Sequence, residues 1–108
     1  QKKSGDQDVA ESTTTPTEFG LDENYPNPFN PETVIQFHLP AASHVVIRIF
    51  NSIGQEIKTL VDESYQAGVH RAVWKTTDKR GIRASSGIYF YHIQAGKFME
   101  VKKMLLLQ

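Results

Sequence analysis

The side chains able to do chemistry are few and widely spaced. Four histidines stand at His38, His44, His70 and His92, no two of them two residues apart on a strand, and cysteine is absent. No local metal motif forms from that spacing, and disulfides and thiolate chemistry are excluded. Asp62-Glu63 and Asp78 could offer oxygens to calcium from turns, but they lack the spaced ligand pattern such a site needs and read as solvated turns. Ser85-Ser86-Gly87 has no Gly-x-Ser-x-Gly frame, Gly81 and Gly87 build no phosphate cradle, and no carboxylate pair is set up for acid–base work. The expectation is a chain with no catalytic residue, no cofactor and no metal, which acts by binding and is not an enzyme.

Two groups of residues are better suited to recognition. Trp74, Tyr89, Phe90 and Tyr91 supply flat rings of the kind that stack on sugars. Trp74 alternates with His70 and Ala72, however, which is the pattern of a ring at the centre of a core. The second group is the stretch Lys97 to Gln108, where Lys97, Lys102 and Lys103 flank the apolar Met104, Leu105, Leu106 and Leu107. As a last strand near a sheet edge, it could be read by strand addition, or its lysines could simply guard the edge.

These residues must be positioned by strands, because no segment keeps a 3.6-residue period for three turns. Thr33 to Leu39 alternates, with Ile35, Phe37 and Leu39 on one face, and Pro40 closes it. His44 to Asn51 points Val45, Ile47 and Ile49 inward. Gly54 turns the chain into Glu56 to Val61, where the spacing of three between Ile57 and Leu60 predicts a bulge or a strand end near Lys58. Strands are also predicted at Val69 to Thr76, at Ile88 to Gln94 and at Phe98 to Leu107. The Ile88 to Gln94 strand is substantially apolar on both faces and should be central. Ahead of them, Asn24-Tyr25-Pro26-Asn27-Pro28-Phe29-Asn30-Pro31 cannot be helical, since residues before proline avoid the helical region and Asn favours turns. It should lie extended across the sandwich as a fixed plug, anchored by Tyr25 and Phe29. About seven short strands with frequent turns predict an all-β, immunoglobulin-like antiparallel β-sandwich of Greek-key type.

Composition narrows the partners. With Lys plus Arg at 12 and Asp plus Glu at 12 the formal charge is zero, which argues against nucleic acid. No apolar run approaches the ~18 residues of a membrane-spanning helix. Residues 1–18, Thr-rich and nearly devoid of apolar side chains, are expected to be a flexible linker from a preceding domain, with one folded domain over 19–108. The lack of a basic, apolar leader at the start suggests a piece of a longer protein.

The residues from Phe19 onward resemble a known family. The quoted run 24–31 within Leu21 to Thr33, then Ile49 to Ile57, Ala67-Gly68-Val69-His70 with Trp74, Ser86-Gly87-Ile88-Tyr89-Phe90-Tyr91 and Lys102-Lys103-Met104-Leu105-Leu106-Leu107 occur in the family's order. The chain resembles the type A C-terminal sorting domain of the type IX secretion system, and is similar to the Ig-like domain of the flagellar hook-capping protein. That resemblance implies a sorting and anchoring module, carried behind a cargo domain through the periplasm of a Gram-negative bacterium and across its outer membrane to the cell surface. The implied partners are the outer-membrane secretion translocon and a surface sortase. The implied recognition residues are Asn27, Pro28, Asn30, Pro31, Gly87, Tyr89 and Lys102 through Leu107. The competing expectation is a carbohydrate-binding or adhesive accessory module of a secreted polysaccharide-degrading enzyme, and a third is a purely structural spacer. One departure stands out: Lys75-Thr76-Thr77-Asp78 follows Trp74 where relatives often have an Asp-Gly turn.

Overall fold

The computed structural model describes residues 15–29 and 31–107, so Asn30 and most of the expected linker lie outside the described residues. Seven strands follow in order: β1 (Gly20–Leu21), β2 (Thr33–Leu39), β3 (Ser43–Phe50), β4 (Glu56–Tyr65), β5 (Gly68–Trp74), β6 (Gly87–Ala95) and β7 (Phe98–Leu106). They form a three-stranded sheet, β1-β2-β5, and a four-stranded sheet, β4-β3-β6-β7, every ladder antiparallel. This is the expected Ig-like sandwich.

Alternation builds the core. In β2, β3 and β6 every second side chain is buried, so Ile35, Phe37 and Leu39 of one sheet face Val45, Ile47, Ile49, Tyr91 and Ile93 of the other. Burying a Val, Leu, Ile or Phe side chain is worth about 1.5–3 kcal/mol, so these few strands supply most of the cohesion. As expected, β6 is central, between β3 and β7.

The edges differ from a strict ladder. Pairing of β3 with β4 shifts register between Ile47 and Arg48 and again between Ile49 and Phe50, skipping Leu60 and Ile57 on β4. Those two residues are the ones whose spacing of three predicted a bulge or a strand end, and the strand continues through both irregularities. Being the extra residue at each irregularity, both turn toward the core and pack against it. Asp62 and Glu63, expected in a turn, lie instead on β4, which runs on to Tyr65. The two-residue β1 had no readable period.

Beyond Trp74 the chain turns through Thr76, whose φ of 62° is left-handed for a β-branched residue. An Asp-Gly turn would carry that angle without steric cost. Thr76 is nevertheless buried, its carbonyl accepting from Ala84 N–H at 2.7 Å, while Trp74 Nε1 donates to Thr77 O at 2.9 Å.

Candidate recognition site

The proline–asparagine run begins as a braced loop. Buried Asn24 donates through Nδ2 to Thr33 Oγ1 at 3.0 Å and to Pro26 O at 3.2 Å, and Thr33 Oγ1 donates to the same carbonyl at 2.9 Å. The peptide bonds before Pro26 and Pro28 are cis. The chain then reaches the far sheet. Phe29 N donates to Leu105 O at 3.0 Å, Leu107 N donates to Phe29 O at 3.1 Å, and Asn27 Oδ1 accepts from Leu105 N at 3.0 Å. Phe29 and Leu106 form a parallel bridge. The Phe29 ring enters the core, 5.8 Å from Trp74, which in turn meets Tyr89 edge-on at 5.4 Å. Phe29 is therefore the plug the sequence suggested. Tyr25 is not an anchor: its backbone bridges Val34 but its ring is 77% exposed. A proline-rich run lacks the strict alternation that would assign its aromatics to a face.

The apolar tail splits in two by the period of the strand. Met104 and Leu106 are core residues, Leu105 is half-buried, and Lys103 and Leu107 are exposed. Lys102 is held by Glu23 at 3.3 Å and Glu100 at 3.4 Å. Slight burial opposes its charge, but those two carboxylates outweigh that and raise its pKa. Glu23 as a partner of the tail had no sequence signal, since it sits 79 residues away.

Gly87 and Tyr89 complete the arrangement. Gly87, at φ 150°, pairs with Leu106, and Tyr89 pairs with Met104. Tyr89 is buried, and its hydroxyl donates to Ser85 O at 2.6 Å. Part of the expected set comes together, while Gly87, Tyr89, Lys102 and Leu106 line neither of the two clefts there. Asn27, Pro28, Ile88, Lys103, Met104 and Leu105 line one shallow cleft of about 290 Å³, and Leu107 lines the adjoining one with Pro26, Pro28 and Phe29. Ile88 was missed as a site residue; its outward place on β6, opposite Leu105, was readable from the alternation. Pro31 is exposed but lines neither cleft.

Elsewhere the titratable groups serve as braces. His38 Nε2 lies 3.0 Å from Asp22, which also accepts from Gln36 Nε2 at 2.7 Å. Burial alone would raise the Asp22 pKa; hydrogen bonds from His38 and Gln36 outweigh it and bring the carboxyl below its ordinary value. His44 meets Asp62 at 2.6 Å, and His70 packs on Phe37 and Tyr65 while touching Gln66 O at 2.8 Å. Asp78 accepts from the N–H groups of Ile82 and Arg80, each at 2.9 Å, closing its own turn, and these bonds lower its pKa. Among the described residues no three His, Cys, Asp or Glu are grouped so as to hold a metal ion. Of the rings considered for sugar stacking, Trp74, Tyr89 and Tyr91 are buried and Phe90 is half-buried. Trp74 is a core residue.

A family model of the FlgD Ig-like domain matches residues 27–97, well over half of the chain. The chain belongs to the FlgD Ig-like family. Its ladders from β2 to β6 are therefore the family's shared frame, while all of β7 and the segment before Asn27 lie outside the matched stretch. Among solved structures the FlgD Ig-like chain is similar to dimeric latent PorU from Porphyromonas gingivalis, with a TM-score of 0.68 and 17% identity over 81% of this chain and 9% of that one. It is also similar to PorZ, an essential bacterial surface component of the type-IX secretion system of Porphyromonas gingivalis, with a TM-score of 0.57 and 16% identity over 82% of this chain and 12% of that one. Identities this low establish a shared fold, and the chain spans a small part of either protein. No curated protein matches the chain.

Proposed function

We propose that this Ig-like domain is a C-terminal sorting and anchoring module, which directs a larger secreted protein through the type IX secretion system to the surface of a Gram-negative bacterium. It acts by recognition and not by catalysis. Its partners on this reading are the outer-membrane translocon and the surface sortase. One observation carries the proposal: segments far apart in the sequence, Asn27-Pro28, Ile88 and Lys103 to Leu107, come together at one end of the sandwich. Packing alone requires Phe29, Met104 and Leu106 there. It does not require exposed Asn27, Pro28, Lys103 and Leu107 to flank the same pair of clefts.

The test is export of a fluorescent protein carrying an N-terminal periplasmic signal and residues 1–108 at its C-terminus, in hosts with and without the secretion system. Fluorescence outside the outer membrane should appear only in the host with the system. The variants Lys103→Glu and Leu107→Asp alter exposed side chains and should reduce export at least severalfold while the domain stays folded. Periplasmic retention of the unaltered fusion in both hosts overturns the proposal. Deleting 102–108 is a poor test, because it removes Met104 and Leu106 from the core.

A further inference from the structure

One edge of β7 carries a row of backbone groups that face away from the sheet. Leu105 and Leu107 direct backbone groups away from β6, toward Asn27 and Phe29. The β6–β7 ladder runs without a register shift from Ala95–Phe98 to Gly87–Leu106. Alternation therefore turns the N–H and C=O of Met99, Val101 and Lys103 outward as well. Among the described residues no strand pairs with them. The open window is bounded on one side by the Gly96–Lys97 turn and on the other by Asn27, which occupies Leu105 N–H. It is five residues long, centred on Val101.

The other edges are less suited. The β4 ladder is irregular twice and its exposed positions are largely polar, including Glu56, Asp62 and Glu63. The β1 edge is two residues long, and the seven-residue β5 edge exposes Val69 and Val73 but has Arg71 at its centre, where self-pairing would set like charges opposite each other. Met99 and Val101, by contrast, are 60% and 55% exposed on an uninterrupted strand, the kind of edge that invites another strand.

We infer that the partner is a second copy of this chain, joined antiparallel through β7 about a two-fold axis at Val101 into a continuous eight-stranded sheet. Charge selects this register. Centred on Val101, Glu100 faces the partner subunit's Lys102 and Lys102 faces the partner subunit's Glu100, while Met99 lies beside the stem of the partner subunit's Lys103. A shift of the centre by one residue keeps the outward backbone groups opposed, but sets Glu100 against Glu100 or Lys102 against Lys102. Opposite charges across a ladder stabilise it and like charges directly opposite destabilise it. The charge-selected centre coincides with the centre of the open window, and the two were reached from different residues. This pairing is independent of the export reading.

Sedimentation equilibrium of the 108-residue chain over a concentration series tests it. A reversible monomer–dimer equilibrium is expected. Val101→Pro removes the central outward N–H at a solvent-facing edge position, where proline leaves the fold intact, and should weaken the dimer at least tenfold. Glu100→Lys and Lys102→Glu should each shift the chain to monomer. An equimolar mixture of these two variants restores opposite charges at both positions, and should form a mixed dimer. Because each variant carries its own in-chain loss into the mixture, recovery there reports the contact between chains. A chain that stays monomeric to millimolar concentration, a dimer indifferent to Val101→Pro, or a mixture that fails to associate overturns the inference.

Discussion

Trp74 holds the end of the sandwich where the opening loop, β6 and the turn after β5 meet. Its ring lies between Phe29 and Tyr89, and its indole N–H is satisfied by Thr77 O. Trp74→Ala opens a cavity bordered by rings that cannot collapse into it, and should cost ~3–5 kcal/mol in chemical denaturation. Two residues on, Thr76 poses a finer balance. A left-handed backbone costs a residue with a Cβ roughly 1–2 kcal/mol, which glycine avoids. Removing the buried side chain forfeits about 0.8 kcal/mol per apolar carbon group. Alanine loses side-chain burial and keeps the strain, whereas glycine loses about one carbon group more but sheds the larger strain, so Thr76→Gly should be the more stable of the pair Thr76→Gly and Thr76→Ala. The opposite order in thermal melts would mean that φ does not limit this turn.

At the scale of elements, β7 is divided along its length into a covered end and an open end. Asn27 controls the boundary through one side-chain oxygen. Asn27→Ala should cost about 0.5–1.5 kcal/mol, and should speed hydrogen exchange of the Leu105 amide more than that of core amides on β6. Little of this division was legible in the sequence. Period-two alternation exposed β2, β3 and β6 because both their faces are committed, one to the core and one to solvent or to a neighbour. It even located the irregularity in β4, since Ile57 and Leu60 cannot share a face without an extra residue. Nothing in the run Asn24–Pro31 reports that Tyr25 points out while Phe29 points in, because that depends on partners 9 and 78 residues away. Likewise the row of leucines near the end reads as one apolar block, although the strand assigns Met104 and Leu106 to the core and Leu105 and Leu107 to the outer side.

For the whole molecule, acid is the exposed weakness. Asp22 ties β1 to β2 through His38 and Gln36, and Asp78 closes the turn ahead of β6; both carboxyls have folded pKa values below the ordinary 3.8. The unfolded chain therefore binds more protons than the folded one in that region. Stability is fully present above about pH 4 and is lost as pH falls through the lower folded values. Melting temperatures between pH 6 and pH 2 should show a fall confined to the acid end, shallower in Asp22→Asn; an unchanged slope in that variant would assign the loss to other groups. The contact of Asn27 and Phe29 with Leu105 to Leu107 has a further consequence, in time. A loop of nearly eighty residues must close before it forms, and closure over such distances comes late because its entropy is lost before any contact offsets it. The opening segment stays unplugged, and the Trp74 end of the core stays wet, until β7 has docked. Wherever the chain emerges from its N-terminal end, as in synthesis, its final compactness is reached only after β7 is free.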